Sequence, residues 1–89
     1  MKSILQNFEH CYLCGNPNVE THHVIHGHGR RKLAESQGLT IKLCRQCHVM
    51  IHANYSKDLA LKIMAQEKWM EVNGKTRDDF LNIFGRSYV

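Results

Sequence analysis

The chain has 89 residues and a mass of 10.4 kDa, which is room for one small domain over residues 1–89 and too little for two. Charged residues at 22% and hydrophobic ones at 43% exclude a disordered composition, and no apolar run approaches the roughly 18 residues that span a bilayer. The net charge of +4 is concentrated between His22 and Lys57, where Arg30, Arg31, Lys32, Lys42, Arg45 and Lys57 face only Glu35, as expected of a nucleic-acid binder or of a solvated basic surface. The opening residues MKSILQNFEH lack the apolar core of a signal peptide, because Gln6, Asn7 and Glu9 interrupt it. A reducing, cytoplasmic setting without membrane attachment is therefore expected. In that setting four cysteines and seven histidines read as metal ligands before disulfides.

In chain order, Cys11-x-x-Cys14 forms a knuckle that runs into the turn residues Gly15, Asn16, Pro17 and Asn18. Val19 to Ile25 reads as a short strand and Gly27-His28-Gly29 as a flexible loop. A helical turn over Arg30 to Gln37 is stopped by Gly38. The alternation of Leu39 to Leu43 predicts a half-buried strand. From Arg45 to about Asn54 a helix is expected, with Cys47, Met50 and Ile51 on one face. A second runs from about Lys57 to Asn73, with Ser56 as N-cap, Gly74 just past its end, and Leu59, Ile63, Met64 and Met70 toward the core. A third starts at the capping pair Thr76 and Asp79 and points Phe80, Ile83 and Phe84 inward. Trp69, Phe80, Phe84 and Tyr88 read as core residues of this helical tail. His10, His26 and His28 read as surface residues.

Cys11-x-x-Cys14 and Cys44-x-x-Cys47 together suit a closed tetrahedral zinc site. Four thiolates leave no open position, so the role of that Zn2+ is structural, and its binding energy acts as folding energy for residues 8–55. Residues 56–89 form the tail. The histidines then need their own account. His22 and His23 are adjacent on the first strand, so they point to opposite faces. His48 and His52, spaced i, i+4 on the helix that leaves the second knuckle, share a face. One strand histidine with both helix histidines would make three nitrogen ligands with open positions, and the other could accept a proton from an attacking water. A competing arrangement has His48 or His52 replacing a cysteine in the structural site.

The order ETHHVIHG followed by LCRQCHVMIH resembles the small HNH endonucleases, of the His-Me-finger or ββα-metal class, with an added four-cysteine zinc site. The tail RDDFLNIFGRSYV further resembles small phage- and prophage-encoded proteins of this kind, which points to a bacterial or phage-infected cytoplasm. The resemblance implies an α+β fold, in which a two-stranded hairpin and a helix grip one divalent metal, and hydrolysis of DNA phosphodiesters. It makes His22 and His48 metal ligands and His23 the general base, and it adds His52 from the likeness to the nuclease colicins. The catalytic metal is then one of Mg2+, Mn2+, Ni2+ or Zn2+. One position departs from the pattern. The family's asparagine, about five residues before the third cysteine, is here Leu39, so orientation of the base falls to a backbone carbonyl or to Thr40, Gln37 or Ser36.

As a mechanism, His23 takes a proton from water attacking phosphorus while the metal on His22, His48 and His52 neutralises growing charge, giving 5′-phosphate and 3′-hydroxyl ends. Arg30, Arg31 and Lys32, between the strands, and Lys42 and Arg45, around the second knuckle, are expected to contact the phosphates of double-stranded DNA. No base-reading motif is present. Two other classes fit parts of the sequence: a zinc-stapled nucleic-acid-binding module that does not cut, and a protein-interaction adaptor built on the tail.

Overall fold

The computed structural model describes residues 2–27 and 29–89; Met1 and His28, the latter expected at the surface, lie outside the described residues. Among the described residues the order is β1 (Glu20–His23), α1 (Arg30–Ser36), β2 (Thr40–Leu43), α2 (Arg45–Ala53), α3 (Tyr55–Asn73) and α4 (Arg77–Phe84). This is a small α+β arrangement of one two-stranded antiparallel sheet and four helices.

The hairpin pairs Glu20 with Leu43, Thr21 with Lys42, His22 with Ile41 and His23 with Thr40. β1 is shorter than the expected Val19 to Ile25. Val24 and Ile25 leave the ladder and are fully buried instead, with the Val24 amide still bonded to the Leu39 carbonyl at 3.1 Å. The connection between the strands contains α1, so Arg30, Arg31 and Lys32 stand on a helix.

α1 ends where the sequence says it should. The Gly38 amide donates to the Glu35 carbonyl at 3.2 Å and the Leu39 amide to that of Ala34 at 2.8 Å, a paired closure that needs a left-handed residue between them. Gly38 supplies it at φ +74°. A Cβ there would also stand 2.7 Å from the Lys2 carbonyl oxygen, because the N-terminal segment crosses at this point. That segment covers the outer edge of β2. The Ile4 amide donates to the Gly38 carbonyl at 2.8 Å, the Lys42 amide to Gln6 Oε1 at 2.7 Å, and the Tyr12 amide to the Lys42 carbonyl at 2.8 Å. The unpaired ladder groups of a free edge are thereby satisfied.

α3 begins two residues earlier than expected. Its N-cap is Asn54, whose Oδ1 accepts from the Lys57 amide at 3.1 Å, and Ser56 lies within the helix. Its buried face is also different: Leu61, Ala65, Gln66 and Trp69 are buried, whereas Leu59, Ile63, Met64 and Met70 are only partly covered. Trp69, the largest side chain available, sets the rotation, and Ala65 one turn before it allows close approach. Gln66 is buried because it is satisfied, with Nε2 donating to Ser87 Oγ at 2.9 Å and Oε1 accepting from the Tyr88 amide at 2.6 Å.

Thr76 and Asp79 cap α4 reciprocally, as expected, and Phe80 and Phe84 turn inward, stacked at 4.3 Å. Ile83, expected inside, is exposed, since the step of four from Phe80 to Phe84 already defines the buried stripe. Trp69 meets both rings edge-on at 5.4 and 6.1 Å. One buried cluster runs from Cys11 through the hairpin and α2 to Trp69, Phe80 and Phe84, with Tyr88 packed against it. Among the described residues no helix is long and apolar enough to cross a membrane.

Candidate metal centre

The four cysteines converge. Cys11 and Cys14 come from the turn before β1, Cys44 and Cys47 from the start of α2, and their sulfurs lie within 4.8 Å of one another. Cys14 Sγ and Cys44 Sγ are 3.6 Å apart, close to the ~3.8 Å edge of a tetrahedron with metal–sulfur bonds of about 2.3 Å. No two are joined as a disulfide. Backbone donors are already aimed at the sulfurs. The Cys47 amide donates to Cys44 Sγ at 3.5 Å, which caps α2. Burial pushes the Cys11 thiol up, but amides of Cys44, Cys14 and Leu13 outweigh it and bring it down to about 6. The Cys47 thiol, by contrast, is pushed up to about 12 by its bond to the Cys44 sulfur and by burial. Four sulfurs this close would repel one another as thiolates, and a cation among them would favour the fully ionised set. This set could hold a metal such as zinc.

A second set shares no residue with the first. Nitrogens of His22, His48 and His52 also lie within 4.8 Å of one another and could hold a metal ion. Their rings form a near-regular triangle, with centroids 4.9, 5.4 and 4.8 Å apart. His22 hangs from β1 on the face that meets α2, whereas His48 and His52 occupy successive turns of α2. The arrangement in which His48 or His52 completes the sulfur site is therefore absent.

His22 is 1% exposed and its Nε2 is buried without a hydrogen-bond partner. Burial, reinforced by the neighbouring imidazoles of His48, His52 and His26, lowers its pKa to about 4, so it presents a lone pair at neutral pH. His48 Nδ1 bonds to Glu20 Oε1, which leaves Nε2 as its free ligand atom. The His48 bond, then Arg45 at 3.2 Å, lower the Glu20 pKa. Sequence reasoning passed over Glu20. Its signal was position alone, two residues before His22 and so on the same strand face.

An open cavity of about 320 Å³ gives access to this triangle, and Glu20, His23, His26, Arg31 and Arg45 also line it. His26 was expected at the surface. It packs instead against His52 and His22, at centroid distances of 5.5 and 6.3 Å. Its Nε2 stands 3.6 Å from Asp58 Oδ1, and both atoms are buried without a hydrogen-bond partner. Asp58 Oδ2 is taken by Lys62 Nζ at 2.9 Å. Burial and the Lys62 charge lower the His26 pKa despite that carboxylate. His10 is exposed, as expected, and stacks on Phe8 at 4.3 Å.

His23 lies at the rim of the cavity, its Nε2 at 3.1 Å from Glu35 Oε2. None of the three side chains expected to orient it does so. Gln37 Oε1 accepts from Trp69 Nε1 at 3.0 Å, Ser36 Oγ donates to the Leu33 carbonyl at 2.7 Å, and Thr40 offers its carbonyl to Ser3 Oγ. Leu39 is a fully buried core residue.

The basic residues divide. Arg31 and Arg45 border the histidine cavity, and the Arg45 side chain is 81% exposed despite its pairing with Glu20. Lys32 is exposed on α1. Lys42 bonds Thr21 Oγ1 at 2.9 Å and lines a different cavity, beside the N-terminal segment. Arg30 is turned to the tail, where its Nε donates to the Phe84 carbonyl at 3.1 Å and closes α4.

Comparison of the chain with protein-family models, with curated proteins and with solved structures finds no match.

Proposed function

We propose that the chain is a metal-dependent endonuclease of the HNH kind, hydrolysing phosphodiester bonds of double-stranded DNA to 5′-phosphate and 3′-hydroxyl ends. What supports this is the convergence of His22, His48 and His52 into a donor set separate from the four cysteines, with His22 Nε2 buried and unsatisfied. A divalent ion held by these three residues would supply Lewis-acid neutralisation of the phosphate and of the departing 3′ oxygen. His23, the neighbour of His22 on β1, takes the proton of the attacking water. Glu20 fixes the ring of His48, and Arg31 and Arg45 at the cavity rim meet the flanking phosphates. The cysteine set acts as a staple that fixes the start of α2.

The experiment is incubation of supercoiled plasmid with wild type and His23→Ala in Mg2+, Mn2+, Ni2+ and Zn2+. Wild type cuts, and His23→Ala is slower by about 10²–10⁴-fold, with unchanged metal content and thermal transition. Cleavage indifferent to this substitution would overturn the assignment. Leu39, buried where the family carries its asparagine, favours a second reading, a zinc-stapled nucleic-acid-binding module that does not cut. That reading gives retarded but intact plasmid in every metal.

A further inference from the structure

Glu35 reaches His23 from another element, with Oε2 3.1 Å from Nε2. The carboxylate is 64% exposed and the imidazole 22%. A contact so open to water adds little to stability, so its main effect is on the ring itself. A carboxylate accepts only, hence Nε2 carries the proton and Nδ1 carries the lone pair. The backbone under Glu35 is firmly placed, because its carbonyl accepts the Gly38 amide in the closure of α1. Other polar groups nearby are engaged elsewhere, Gln37 with Trp69 and Ser36 with Leu33. Leu39 has no polar side-chain atom to offer.

We propose that Glu35 is the positioning residue of His23, holding its ring in the Nε2–H tautomer with Nδ1 free to receive a proton. This rests on the nuclease reading and supplies the orienting group that the missing asparagine would otherwise provide. In the step it serves, one water proton moves to His23 Nδ1 as the water oxygen bonds to phosphorus. The bond from phosphorus to the 3′ oxygen breaks, and that oxygen leaves with the electron pair and takes a proton from solvent. The Glu35 carboxylate faces the imidazolium as it forms, the role a buried aspartate plays in hydrolase triads.

The test combines plasmid cleavage kinetics, in the metal that supports wild type, with 15N spectra of the His23 ring. Glu35→Ala lowers kcat by about 10–100-fold and leaves KM and metal content unchanged, while the ring loses its single Nε2–H tautomer. Glu35→Gln, whose amide oxygen still accepts, restores the tautomer and part of kcat. In a His23→Ala background, Glu35→Ala has no further effect, as expected of groups acting as a unit. Wild-type kcat in Glu35→Ala, or a further loss in the double variant, overturns the proposal. A wild type that cuts in none of the metals while its His23 ring keeps one tautomer sinks the nuclease reading, and with it the catalytic part of this role.

Discussion

His22 carries a large cost in acid, and its sign is fixed by burial. Its pKa is about 4 in the fold against about 6.5 in an open chain. Between these values the unfolded state binds a proton that the folded state refuses. Stability is thus fully present above pH 6.5 and falls as pH drops toward 4, by up to about 3 kcal/mol. Urea midpoints measured from pH 7 to pH 4 should fall more steeply for wild type than for His22→Asn. Gly38 is equally constrained, by a left-handed backbone and by the Lys2 carbonyl 2.7 Å from where a Cβ would lie. Gly38→Ala is expected to lose about 2 kcal/mol or more, read as a lower thermal midpoint with unchanged metal content. At this scale the two cysteine pairs and the His48/His52 pair were legible because their spacings are local, and His22 because it stands in the motif that carries the resemblance. Glu20, Glu35 and Asp58 were not, because a carboxylate that serves an imidazole through space leaves no periodic mark in the chain.

α2 was legible almost to its ends, since Cys44 both opens it and begins the second knuckle. α3 was legible in length but not in rotation. Its apolar residues are spread around the circumference, so the choice between the Leu59/Ile63 side and the Leu61/Trp69 side was left to what packs opposite. Only the pairing of Trp69 with Phe80 and Phe84 decides it. The knuckles bear on stability at this scale. If the cysteine set holds zinc, the contribution is roughly 10–16 kcal/mol, more than a chain of this size can spare. A strong chelator should therefore unfold residues 8–55, seen as loss of amide protection over the hairpin and α2. A cooperative thermal transition unchanged in chelator would contradict this.

Across the whole molecule, the basic excess does not form one surface. Arg31 and Arg45 stand at the histidine cavity, whereas Arg30 ties α1 to the end of α4. If DNA lies across that cavity, Arg31→Ala and Arg45→Ala should each lower the slope of log affinity against log salt by about 0.9. Arg30→Ala should leave the slope unchanged and lower the thermal midpoint. A slope that responded to Arg30 as strongly as to Arg31 would place the nucleic acid elsewhere. Charge counting gave the sign of this excess but not its division, because Arg30 and Arg31 are neighbours in sequence that the turn of α1 sends to different sides.

One short rod, α2, begins among sulfurs and carries two imidazoles on its next turns. If both sets hold metal, the placement of the second follows from that of the first through α2, and maturation acquires a hierarchy. In that case a newly made chain would capture its staple ion before the histidine triangle could be filled, and a chain starved of the first ion would not be primed by any supply of the other.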